Sequence, residues 1–158
     1  MNAGGWRERA AQFEFDRSWD FAMSPERLWA LLSDTSSYTR WWPWLGSFEP
    51  VPIRPGARTQ CSIGAPLPYS VRVEIAVVEV VPGEQVAAVV SGDVRGPARL
   101  DIRATTAGST ARLAWQVEVR RPLLRGAAFV AKPLLRWGHD RVVSRGVEQF
   151  RRAVGDPA

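Results

Sequence analysis

The chain has 158 residues, 46% hydrophobic and 23% charged, with a net charge of +5. That suffices for one domain with a full core. The single cysteine, Cys61, excludes an internal disulfide, and with only one histidine, His139, no metal or other cofactor is expected. The positive charge is almost all arginine and is spread along the chain, so nucleic-acid binding is not expected. No apolar run is long enough to span a membrane, and residues 1–11 have no signal-peptide core. We therefore expect a soluble cytoplasmic protein.

Residues 1–11 are expected to form a flexible N-terminal arm, followed by one domain over residues 12–154. From Phe13 to Met23 the pattern alternates: Phe13, Phe15, Trp19, Phe21 and Met23 point one way, Glu14, Asp16, Ser18 and Asp20 the other. This predicts a half-buried strand. Arg17 falls on the apolar side, so it lies near an open end or is paired inside. Ser24-Pro25-Glu26 is a helix start, with an N-cap hydroxyl, proline in the first turn and a carboxylate near the helix N-terminus. That helix should run to about Ser33. Asp34-Thr35-Ser36 begins a second short helix that must stop near Trp42, because Pro43 follows.

Trp41, Trp42 and Trp44 put three indoles into four residues. Such a group forms a wall, either inside the core or at the mouth of a pocket. Six strands are then predicted at roughly Leu45–Ile53, Ala57–Gly64, Tyr69–Val81, Gln85–Asp93, Ala98–Thr106 and Thr110–Arg120. The turn signals include Pro55-Gly56, Pro82-Gly83, Gly96-Pro97 and Gly108-Ser109. Short connections make consecutive strands antiparallel neighbours. Strand parity turns Arg17, Thr59, Cys61, Tyr69 and Glu79 inward and leaves Arg99, Asp101 and Arg103 in water.

The last segment, from Pro122 to Val154, carries the strongest periodicity. At about 100° per residue, Leu124, Ala128, Ala131, Leu135, Gly138, Val142 and Gly146 form one stripe, opposed by Arg141, Arg145, Glu148 and Arg152. A long amphipathic helix follows, with a kink or short break expected at Ala131–Lys132 ahead of Pro133. Gly138 and Gly146 leave bare backbone on the buried face. That room serves either close packing against the sheet or a ligand. His139 lies at the edge of the same stripe, and Asp140 points away from it, toward Arg136 or Arg141.

The order is strand, two short helices, six strands and one long helix. It predicts an α+β fold in which a seven-stranded antiparallel curved sheet grips the C-terminal helix across its concave face. This order resembles the helix-grip fold of the START-like superfamily, also known as SRPBCC or Bet v 1-like. Ser24-Pro25-Glu26-Arg27-Leu28-Trp29, Tyr38-Thr39-Arg40-Trp41-Trp42-Pro43 and Leu135-Arg136-Trp137-Gly138-His139-Asp140 are similar to the bacterial polyketide cyclase/dehydrase and lipid-transport group. The resemblance implies a hydrophobic cavity between sheet and helix for lipids, polyketides or isoprenoids.

No phosphate loop, nucleophile elbow or metal cluster is present in the sequence. The expected ligand-binding residues are Trp41, Trp42, Trp44, Cys61, Tyr69, Trp115, Leu135, Gly138, His139, Val142 and Gly146. Three functions stay open: a carrier for a hydrophobic or aromatic small molecule, a polyketide aromatase/cyclase or dehydratase, and a regulatory domain with a filled interior. The enzyme would use His139 or Tyr69 as its acid–base group.

Overall fold

The computed structural model describes residues 12–64, 70–119 and 122–157, with the backbone alone over 122–137. The elements are β1 (Gln12–Phe21), α1 (Pro25–Ser33), a 3₁₀ turn (Thr35–Ser37), α2 (Tyr38–Trp41), β2 (Leu45–Gly46), β3 (Arg58–Ile63), β4 (Val71–Val81), β5 (Gln85–Gly92), β6 (Val94–Thr105), β7 (Gly108–Val119) and α3 (Pro122–Val154). The strands make one seven-stranded sheet in the order β1-β7-β6-β5-β4-β3-β2. Every pairing is antiparallel. The expected helix-grip architecture is therefore present, with β1 and the short β2 at the two edges.

Local chemistry accounts for the elements. The Ser24 hydroxyl accepts from the Arg27 amide at 3.3 Å and Pro25 opens α1, as the sequence pattern requires. Leu28 of α1 is fully buried in one cluster with Phe21, Ile102 and Ala111 of the sheet, Met23 of the link after β1 and Phe150 of α3. One core thus locks the first helix, the sheet and the end of the last helix together. At the C-terminus, the Asp156 carboxylate accepts the Ala22 amide at 2.9 Å, and Arg151 donates to the Asp20 carbonyl.

Several expectations are corrected. The strand expected over Leu45–Ile53 shrinks to Leu45–Gly46, because Pro50 and Pro52 lack the amides a ladder needs. Side chains take over there: Thr35 Oγ1 donates to the Val51 carbonyl and Thr59 Oγ1 to that of Glu49, each at 2.8 Å. Gly96-Pro97 is not a turn; β6 runs through it, and the chain reverses near Gly92 and Asp93 instead. Gly96 adopts φ 147, and an added Cβ would lie 1.8 Å from the Gln116 carbonyl oxygen, so only glycine fits this kink in the strand.

Glu79 is exposed rather than inward, because a bulge between Val77 and Glu79 inserts one extra residue and flips the parity. Asp101 is buried rather than in water, held by Arg99 Nε at 2.9 and 3.1 Å. Of the kink or short break expected at Ala131–Lys132, the break is absent: the last helix continues past Pro133 as one 33-residue element. A proline costs a helix one backbone bond, which surrounding structure can absorb without ending it.

Candidate functional site

Two groups of aromatic side chains sit between the sheet and α3. The first is centred on the tryptophans. Trp41 is buried and meets Phe150 edge-to-face at 5.1 Å. Trp42 donates from its indole to the Gly146 carbonyl, and Trp44 donates to Gln149 Oε1, both at 2.8 Å. A Cβ on Gly146 would meet Trp42 Nε1 and Trp44 Cζ2 at 3.4 Å. The bare backbone at Gly146 is thus where these two indoles dock. Tyr38 backs the group, packing on Trp42 at 4.8 Å, and its hydroxyl donates to the Leu32 carbonyl. Burial pushes that hydroxyl's pKa well above the ordinary tyrosine range.

The second group lies two turns earlier on α3. Phe15 of β1 and Trp115 of β7 are direct cross-strand partners, side by side on the inner face. His139 descends on them from α3, stacked on Phe15 with centroids 3.6 Å apart and planes 23° apart, and 5.3 Å from the Trp115 ring. Trp115 stands opposite Ala98 of β6, a small neighbour that leaves room for the indole. Its ring packs against two apolar clusters, one of Phe13, Phe15, Val117 and Val119, the other of Cys61, Val71, Val73 and Val90.

The electrostatics of this second group are unusual. Both nitrogens of His139 and Nε1 of Trp115 are out of reach of solvent and have no hydrogen-bond partner among the described residues. Burial lowers the His139 pKa to about 4, with Asp140 acting upward and Arg17 downward, so the ring is neutral near physiological pH. Arg17 and Asp140 pair at 3.7 Å beside it, both substantially exposed. The structure gives Asp140 a partner the sequence did not suggest, Arg17, reaching from the edge strand to the helix; of the two expected partners, the side chain of Arg136 lies outside the described residues.

The expected site residues therefore separate. Trp115 and His139 come together, with Gly138 and Val142 buried on the same helix face. Trp41, Trp42, Trp44 and Gly146 come together further along α3. Cys61 is buried in the apolar cluster that Trp115 touches, and its thiol pKa is raised by burial. Tyr69 lies outside the described residues, as does the side chain of Leu135. Thr59, expected inward, is spent on the Glu49 carbonyl. Phe15 was not singled out in the sequence, although strand parity already placed it on the inner face.

The family described as polyketide cyclase / dehydrase and lipid transport matches residues 12–155. A comparison with the curated proteins finds no match. Among solved structures, a conserved protein from Geobacillus kaustophilus superposes with a TM-score of 0.75 at 13% identity, over 90% of this chain and 95% of that one. A START superfamily protein from Mycobacterium smegmatis gives 0.70 at 15% identity, over 90% and 97%. The di-domain ARO/CYC StfQ of the steffimycin biosynthetic pathway gives 0.72 at 11% identity, over 91% of this chain and 51% of that one. At these identities the solved structures speak for the fold.

Proposed function

The chain belongs to the polyketide cyclase / dehydrase and lipid transport family, and from that premise we propose that it binds and carries a hydrophobic or aromatic small molecule between sheet and C-terminal helix. The observation that carries this reading is the meeting of His139 with Trp115. Buried polar atoms are almost always paired, and each one left alone costs about 1–3 kcal/mol. Three such nitrogens in one apolar aromatic setting suit a ligand site, where a few polar groups orient a molecule held mainly by apolar contact.

No described helix is long and apolar enough to cross a membrane, and we read the protein as a cytoplasmic carrier. The test is native mass spectrometry of protein purified from its own host. A co-purifying hydrophobic molecule, released on denaturation, is the expected result. Protein of the bare chain mass, with no uptake of an added hydrophobic probe, would refute the reading.

A polyketide aromatase/cyclase or dehydratase would use the same space, and the neutral His139 is the observation in its favour, since a neutral imidazole can accept a proton. Against it, the neighbouring carboxylate of Asp140 is engaged with Arg17 and does not orient the imidazole. The carrier is the reading we adopt.

A further inference from the structure

We infer that the outer edge of β1 is sealed by side chains against pairing with a second copy of this chain, and that Arg17 is the residue that decides it. An edge strand is a template for strand addition. β1 is a 10-residue strand at one end of the sheet order. The reading is independent of any ligand and accounts for an arginine on the apolar side of that strand.

The backbone comes first. In an antiparallel pair, alternate residues turn both backbone groups toward the neighbouring strand. The Trp19 carbonyl accepts from Thr110 Oγ1 of β7 at 3.3 Å. The Phe21 carbonyl oxygen lies 2.2 Å from where a Cβ on Gly108 of β7 would stand. The odd-numbered residues thus face β7, and Asp16, Asp20 and Ala22 turn their backbone groups to the outer edge. Side chains hold all three. Arg17 Nη1 donates to the Asp16 carbonyl at 3.0 Å, and Arg151 donates to that of Asp20. The Ala22 amide donates to the Asp156 carboxylate at 2.9 Å.

The register comes next. Arg151 and Asp156 close the Asp20 end and leave Gln12 to Ser18 as the stretch a second copy could use. Two such strands meet about a two-fold axis at Phe15. That sets Gln12 against Ser18, Phe13 against Arg17 and Glu14 against Asp16 of the other copy. The incoming Glu14 amide must then bond the Asp16 carbonyl, the group that Arg17 occupies. Moving the axis by one residue pairs Asp16 with itself or Glu14 with itself, and each of these registers calls on the same carbonyl. Facing carboxylates are themselves destabilising. Arg17 is also the charged member of an inner row otherwise made of Phe13, Phe15, Trp19 and Phe21, and Asp140 holds it at 3.7 Å. An inward-pointing charge keeps edge strands apart.

The test is sedimentation velocity over a range of protein concentrations, with hydrogen exchange read at the Glu14, Asp16 and Ser18 amides. In the unmodified protein, exchange at these amides should not depend on concentration. Arg17→Val frees the carbonyl and completes the apolar row. Its mass should double as concentration rises, with slower exchange at the three amides. Adding Glu14→Gln or raising the salt should strengthen this dimer, since both relieve the facing carboxylates. Asp140→Asn leaves Arg17 on the Asp16 carbonyl and should behave as the unmodified protein does.

Concentration-dependent protection of the three amides in the unmodified protein would overturn the inference, and so would the same protection in Asp140→Asn. An Arg17→Val protein that does not dimerise even with Glu14→Gln would also overturn it, as would a dimer in which the three amides exchange as before. Where Arg17→Val does not fold, Arg17→Thr removes the same cap and charge and carries the same readouts.

Discussion

The indole N–H of Trp42 donates to the main-chain carbonyl of Gly146 at 2.8 Å, at a helix position with no room for a side chain larger than alanine beside the indoles. The contact pins the loop after α2 to the last helix. It yields a paired prediction. An alanine Cβ at Gly146 would meet the two indoles at 3.4 Å, ordinary contact distance, so Gly146→Ala should gain up to about 1 kcal/mol of helix propensity. Gly146→Leu must push Trp42 and Trp44 aside and should cost about 1–3 kcal/mol. Urea denaturation measures both. In the leucine variant, tryptophan emission should also move to longer wavelength as the indoles meet water. A leucine variant as stable as the parent would mean that the helix face here is open rather than filled.

The kink at Gly96 gives the second prediction. Its φ of 147 and its 1.8 Å approach to the Gln116 carbonyl leave no place for a Cβ. Gly96→Ala should destabilise by more than about 1 kcal/mol, although the site lies inside a strand where alanine is otherwise acceptable. The disturbance reaches Trp115 next to Gln116, so uptake of a hydrophobic probe should weaken as well. Thermal denaturation and probe fluorescence check the two halves separately. An alanine variant with unchanged melting would show that the strand can relax around the residue.

The sheet order and the long helix were legible because their signals are periodic and local. Period-two alternation in β1 and β7 places Phe15 and Trp115 on one face, and the helical stripe places His139 and Gly146 on one side of α3. What escaped depends on single-residue exceptions to those periods. The extra residue at Val78 turned Glu79 outward, and Gly96-Pro97 looked like a turn because both residues usually make one. Partner choice was also hidden. Local spacing offers Asp140 only the arginines of its own helix, and its pairing with Arg17, far away in sequence on the edge strand, could not be read from it. The pairing of His139 with Phe15 depends on how the helix settles across the sheet, which no local pattern contains.

The Arg17–Asp140 pair leads to a prediction of small size. Both side chains are substantially exposed and 3.7 Å apart, so solvent and salt screen them. Asp140→Asn should change stability by less than about 1 kcal/mol, and the difference should fade as salt is raised. Melting temperatures of the two proteins at low and high salt provide the measurement. A large, salt-independent loss would mean that Asp140 supports the imidazole rather than the rim.

The last prediction concerns pH. His139 has a pKa of about 4 in the folded protein, lowered first by burial, with Asp140 opposing and Arg17 adding to the shift. An ordinary histidine in the unfolded chain titrates near about 6.5. Between these values the unfolded chain takes up a proton that the folded protein refuses, so acid favours unfolding. The stability is fully present above about pH 6.5 and is lost progressively as pH falls toward about 4, by at most about 3 kcal/mol. His139→Phe removes the titrating group and keeps a flat ring against Phe15. The variant should lose this part of the acid sensitivity. At neutral pH it should also be more stable by about 1 kcal/mol or more, because two buried nitrogens no longer lack partners. Urea denaturation of both proteins from neutral pH to about pH 4.5 isolates the effect, since carboxylates common to both contribute the same background. Parallel pH profiles would mean that His139 exchanges protons freely in the folded state, and the dry aromatic site described for it would have to be given up.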